Sequence, residues 1–136
     1  MPTDAAPSAQ LKKLGLVPGA RWRLDGEPAG WSFDTPPDPG DRVVADDTAD
    51  IVLAFVSRAE QITPALARLE SGIFPAGALW IAWPRRAGGH ESDITDNTVR
   101  EAALARSLVD TKVAAIDADW SGLKLVWRVS ARTAGT

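Results

Sequence analysis

Arg85 and Arg86 follow directly on Pro84, at the end of the apolar run Ala78-Leu79-Trp80-Ile81-Ala82-Trp83, and Gly88, Gly89 and His90 come next. Adjacent guanidiniums present forked donors that match a carboxylate or a phosphate, so this loop is a candidate anion site. The blander reading is a solvated pair that meets Glu91 and Asp93 for little energy. His90 is the one histidine of the chain and so its one imidazole base or ligand. Flanked by Gly89 and Glu91, it equally fits an exposed loop position. Asp117 and Asp119 are spaced to face one way at a strand end, as a paired acid and base would, although acidic residues also serve hairpin turns. Ser121 lies in Trp-Ser-Gly, not in the strand-to-helix elbow of a hydrolase serine. Trp31 and Trp120 are large flat rings that could wall a planar or apolar ligand, or simply roof the core. Asp46, Asp47 and Asp50 read as a turn and a strand entry ahead of any hard-cation site.

For these residues to meet, strands have to deliver them to one edge of a sheet. The run 78–83 is apolar without alternation, which suits a strand buried on both faces, and Pro84 ends it because proline cannot donate to a ladder. Residues 50–56 read the same way. Arg21 to Leu24 and the short stretch 42–45 are further strands. The last two are 109–116 and 123–129, joined over 117–122, a link too short for anything but an antiparallel hairpin. Trp80 and Trp83 have opposite parity in their strand, so one ring faces each side, both in the core.

Three helices alternate with these strands. A short one follows Ser8 and carries Leu11 and Leu14. A second starts at Ser57, with Glu60 as its capping-box partner and Ile62, Leu66, Leu69 and Ile73 at helical spacing. Pro64 either kinks that helix or sits in its first turn behind Thr63. Thr95 caps the third, whose buried side is Val99, Ala102, Ala103 and Leu108. Residues 25–41 are loop-like, because Pro36, Pro37 and Pro39 exclude a continuous helix.

The sum is α/β: a single Rossmann-like three-layer domain over residues 9–131, with a mixed sheet of about six strands and an antiparallel C-terminal hairpin. Residues 1–8 read as a disordered N-terminal tail and 132–136 as a C-terminal tail. If the strands ending near Leu24, Val56, Pro84 and Ile116 are parallel, their exit loops share one edge. That edge gathers Trp31, Arg85, Arg86, His90, Asp117, Trp120 and Ser121, beside Gly26, Ser57 and Asp119. Ligands of open α/β sheets bind at such an edge.

Composition narrows the function classes. With 136 residues, 45% hydrophobic and 24% charged, the chain can bury a core without staples. A net charge of -3 argues against a broad nucleic-acid or membrane surface. No cysteine means no disulfide framework, and one histidine leaves no ordinary zinc site, so neither metal nor cofactor is expected. The first residues show no signal peptide, and no apolar run approaches the roughly 20 residues of a membrane helix. The expected setting is the cytoplasm.

The run Leu14-Gly15-Leu16-Val17-Pro18-Gly19-Ala20-Arg21 resembles the run-in to the first strand of class I methyltransferases, whose terminal hairpin also matches the layout of residues 109–129. Those enzymes follow that strand with an acidic residue and a glycine-rich loop opening a helix. Here Asp25-Gly26-Glu27-Pro28-Ala29-Gly30 keeps two glycines, but the proline-rich segment stands in the helix's place, which disfavours S-adenosylmethionine or nicotinamide binding. A closer resemblance covers nearly the whole chain, from Leu11 to Arg128. It rests on Leu14-Gly15, Gly30-Trp31, Trp80-Ile81-Ala82-Trp83-Pro84-Arg85-Arg86, Asp93-Ile94-Thr95-Asp96 with Val99-Arg100-Glu101, and Asp117-Ala118-Asp119-Trp120-Ser121-Gly122-Leu123-Lys124. On these the chain is similar to a bacterial family catalogued as domain of unknown function 3052. That resemblance implies a small cytoplasmic α/β protein and carries no catalytic residue over. The expectation is a non-catalytic module whose strand-exit rim takes a small anionic ligand or an acidic protein segment. The alternatives are an enzyme of methyltransferase ancestry with an altered cofactor site, and a self-associating structural protein such as a homodimer.

Overall fold

The unbroken apolar runs form the middle of the sheet. In the computed structural model, which describes residues 9–44 and 47–134, β2 (Ile51–Phe55) is buried at every position. β3 (Ala78–Pro84) is buried at all but Pro84. β1 (Trp22–Asp25) flanks β2, while β5 (Trp120–Trp127) and then β4 (Leu108–Ala115) lie beyond β3. The order β1-β2-β3-β5-β4 makes a five-stranded mixed sheet. β1, β2 and β3 are parallel, and β5 runs antiparallel to β3 and β4, so β4 points the same way as β3.

Of the strand expected at 42–45, Ala45 lies outside the described residues, and residues 42–44 form no strand. Arg42 makes one isolated parallel bridge to Trp22 on the outer side of β1, and the Val43 N–H donates to the Trp22 carbonyl at 2.8 Å. A 3-10 turn (Pro39–Asp41) lies just before, and the Asp47 N–H donates to the Val44 carbonyl at 3.0 Å. Among the described residues the sheet has five strands, where about six were expected.

Alternate strand residues point to opposite faces. One face, with Val52, Ala54, Leu79, Ile81 and Leu123, packs against α2 (Ile62–Leu69) and α3 (Asp96–Leu104) through Leu66, Leu69, Val99 and Ala103. The other face carries Leu53, Phe55, Trp80 and Ile116. It is covered by α1 (Ala9–Leu14) and by the irregular segment between β1 and β2, which supplies Phe33 and Trp31. Trp80 and Trp83 are both buried and belong to opposite faces.

Helix starts follow local chemistry. α2 begins at Ile62 with Pro64 in its first turn, where a missing N–H costs nothing. The expected Ser57–Glu60 pairing is replaced by Gln61, whose side-chain oxygen accepts from the N–H groups of Ser57 and Arg58 at 2.7 and 3.0 Å. Thr95 caps α3, its hydroxyl accepting from the Thr98 N–H at 3.3 Å. Arg100 ties α3 to β4 by donating to Asp110 at 3.0 Å, and also reaches Asp96 at 3.2 Å; these carboxylates hold its guanidinium above the ordinary arginine pKa.

At the sheet's end, the Lys13 ammonium on α1 donates to the Ala115 carbonyl at 2.8 Å. Ile116 N–H pairs with the Trp120 carbonyl, so the Ala115 backbone is turned away from β5, to the outer edge. A short helix, α4 (Val129–Ala134), follows β5 and extends into the stretch expected as a tail. The expected N-terminal tail, Ser8 included, lies outside the described residues.

Candidate functional site

The exits of β1, β2, β3 and β4 lie on one edge of the sheet, and close backbone approaches fix the loops there. Gly26, directly after β1, has φ +70°, and a Cβ at that position would stand 2.9 Å from the Phe55 carbonyl of β2. On the far side, Gly88 sits where a Cβ would run into the Ala118 carbonyl. The loops 85–90 and 117–119 are thereby clamped together. The Arg85 N–H donates to the Asp119 carbonyl at 2.8 Å, and His90 Nε2 lies 2.9 Å from Asp119 Oδ1.

Asp117 organises the turn. Its Oδ1 accepts from the N–H groups of Asp119 and Trp120 at 2.8 and 2.9 Å, and its Oδ2 accepts from the Trp31 indole at 2.9 Å. Both oxygens are engaged in positioning, as acidic residues of hairpin turns often are. Trp31 continues a row of edge-on rings across the strand ends, with centroid distances of 4.8 Å from Trp31 to Phe55 and 4.9 Å from Phe55 to Trp120. Both tryptophans are half-buried on that edge.

Two concavities open along the edge. One, of about 450 Å³, is lined by Arg85, Arg86 and Ser121 over an apolar floor of Trp83, Ile94, Val113 and Ala115, and abuts the start of α3. Arg86 donates to the Ser92 carbonyl at 2.9 Å. Arg85 is half-buried, and its guanidinium has no carboxylate or carbonyl partner among the described residues. Every other arginine whose side chain is described has one: Arg21, Arg23, Arg42, Arg58, Arg68, Arg100 and Arg106 meet carboxylates, and Arg128 meets the Leu104 carbonyl.

The other concavity, of about 600 Å³, lies between the exits of β1 and β2, with Asp25, Pro28, Phe55, Glu60, Arg68 and Trp120 among its walls. Asp25 Oδ1 accepts from Arg68 at 2.7 Å, and Oδ2 lies 3.5 Å from Arg23.

The rim expected from the sequence is thus divided. Arg85, Arg86 and Ser121 come together, and Trp120 turns to the other concavity. Trp31, His90 and Asp117 are tied into the bonds that hold the loops. Sequence reasoning named Asp25 only in the methyltransferase comparison and placed neither Asp25 nor Arg68 at the candidate site, although an acidic residue ending a strand beside Gly26 is a signal of a kind. Among the described residues, no group of three or more His, Cys, Asp or Glu side chains is placed to hold a metal ion. No described helix is long and apolar enough to cross a membrane.

A solved structure with a similar fold is that of a protein in the NADB-Rossmann superfamily from Streptococcus agalactiae. It is 12% identical, with a TM-score of 0.52 over 93% of this chain and 71% of that one, a likeness that shows the Rossmann-like fold alone. No protein-family model and no curated protein matches the chain.

Proposed function

We propose that the protein is a binding module for a small anion that carries an apolar body, seated at Arg85, Arg86 and Ser121. The observation that carries this reading is the unpartnered, half-buried guanidinium of Arg85 at the wall of a concavity. Arginine is normally paired when water is partly excluded, so a preorganised free fork favours an incoming carboxylate or phosphate. The Ser121 hydroxyl adds a donor, and Trp83, Ile94 and Val113 offer an apolar surface to the rest of the ligand. Asp96 stands at the start of α3, where a highly charged polyphosphate would meet a like charge, so a monoanion fits best. The reading is of binding without turnover, since Asp117 and His90 are engaged with loop partners. The residues of this concavity overlap those that carry the resemblance to the domain of unknown function 3052 family. We read the chain as a member of that family, acting in the cytoplasm as a cysteine-free protein can.

Benzoate, a carboxylate on a flat apolar ring, is a direct probe. Saturation-transfer NMR should show it binding the wild-type protein and at least about tenfold more weakly to Arg85→Ala, the loss expected for one charge-assisted hydrogen bond. The melting temperature should barely move, because among the described residues the Arg85 side chain holds no carboxylate or carbonyl, and its backbone bonds to the Asp119 carbonyl and Gly88 N–H survive the change. Equal benzoate binding by the two proteins would overturn the reading.

A further inference from the structure

We infer that the concavity between the exits of β1 and β2 is a separate site for a planar organic cation, an amidinium or ring-borne amine, and that Arg68 occupies its cation position when the ligand is absent. The place follows from the chain path. The segment leaving β1 covers the face that holds Phe33, whereas the segment leaving β2 enters α2 on the opposite face. Neighbouring parallel strands whose continuations part to opposite faces leave a crevice between them, where open α/β sheets take ligands.

The chemistry follows from who is already there. Arg68 is itself a planar cation, and it sits on Asp25 Oδ1 at 2.7 Å inside the concavity. Asp25 is only 15% exposed, whereas the Arg68 side chain is 53% exposed. A sheltered carboxylate, held on its other oxygen by Arg23 at 3.5 Å, therefore faces a largely solvated partner in Arg68, and an incoming cation of the same shape can take that partner's place. Glu60 adds a second, exposed carboxylate at the wall, 3.9 Å from Arg58, and Arg68 is the one cationic side chain among the lining residues. Trp120, Phe55 and Pro28 supply flat apolar walls for a ring, and the tryptophan face also favours a cation. Charge preference here is opposite to that of the Arg85 concavity, and this inference stands independently of that one.

Benzamidine and benzoate share one ring and differ in the sign of the head group, so the pair separates the two sites. In ligand-observed NMR and tryptophan fluorescence, the wild-type protein should take benzamidine, and Arg85→Ala should take it equally well. Asp25→Asn should weaken benzamidine at least about tenfold, as loss of a charge-assisted pair does. Arg68→Ala should tighten it by roughly threefold to fivefold, the amount by which a largely exposed ion pair competes. Circular dichroism would check that each variant is folded. Should Asp25→Asn fail to fold, Arg68→Ala decides alone: unchanged or weaker benzamidine binding overturns the inference, as does an Asp25→Asn protein that is folded and binds as before.

Discussion

The two faces of the sheet are closed by different means. On one, α2 and α3 bring their own backbone hydrogen bonds and contribute mainly aliphatic side chains, Leu66, Leu69, Val99 and Ala103. On the other, most of the cover is an irregular segment, whose backbone groups need partners from elsewhere. Some pair with backbone, as the Trp31 N–H does with the Pro28 carbonyl, and side chains supply others in the segment and at its margins. The amide of Gln10, buried at 6% exposure, donates to the Ile116 carbonyl at 2.8 Å and accepts from the Asp34 N–H at 2.9 Å. The indoles of Trp22 and Trp80 donate to the carbonyls of Asp38 and Leu14 at 3.0 and 3.1 Å. Large amphipathic side chains thus do on one face what helical hydrogen bonding does on the other. The cost is redundancy, because each such link is held by a single residue.

The sharpest break in that comparison is Trp80→Ala, which empties a fully buried site and orphans the Leu14 carbonyl; it should destabilise by about 3–5 kcal/mol in urea unfolding. Leu66→Ala on the helical face, also fully buried, should cost about 2–5 kcal/mol and leave α1 docked. Hydrogen exchange would tell the two apart, with residues 26–41 opening early in the first variant and not in the second. Gln10→Ala comes next. It leaves a carbonyl and an N–H without their partner, for about 1–3 kcal/mol, and should raise exchange at Asp34 while α2 and α3 stay protected. Protection lost equally on both faces would mean that the faces are not independent. The smallest effect belongs to Trp31→Phe, which keeps a ring in the aromatic row but removes the donor to Asp117. About 0.5–1.5 kcal/mol is expected, read as a small drop in the urea midpoint.

The sequence was most legible where one physical signal dominates. β2 and β3 are unbroken apolar runs, and Thr95 caps α3 by its own hydroxyl. It was least legible where distant residues decide. Trp120, Ser121 and Gly122 have the composition of a turn, yet all three open β5. The turn is completed earlier, because Asp117 Oδ1 alone satisfies two N–H groups. Gly122 belongs in the strand for a packing reason: a Cβ there would lie 2.6 Å from Ile116 Cδ1. The candidate site divides in the same way. Arg85 and Arg86 announce themselves by following a buried strand. The pairing of Asp25 with Arg68 spans 43 positions and leaves no local mark. Nor does any local pattern reveal that Phe55 stands between Trp31 and Trp120.

The reach of Lys13 to the Ala115 carbonyl has a meaning beyond holding α1 in place. A sheet that ends in an open strand offers its last row of peptide groups to any other extended chain, and identical molecules are the most abundant candidates. Along β4 that row is interrupted by three features. An ammonium fills one carbonyl, the charge of Lys112 stands close by, and an irregularity between Asp110 and Lys112 breaks the regular spacing a docking strand would need. α1 therefore places an ammonium on the open side of β4, where an extended strand from another chain would otherwise meet a free carbonyl.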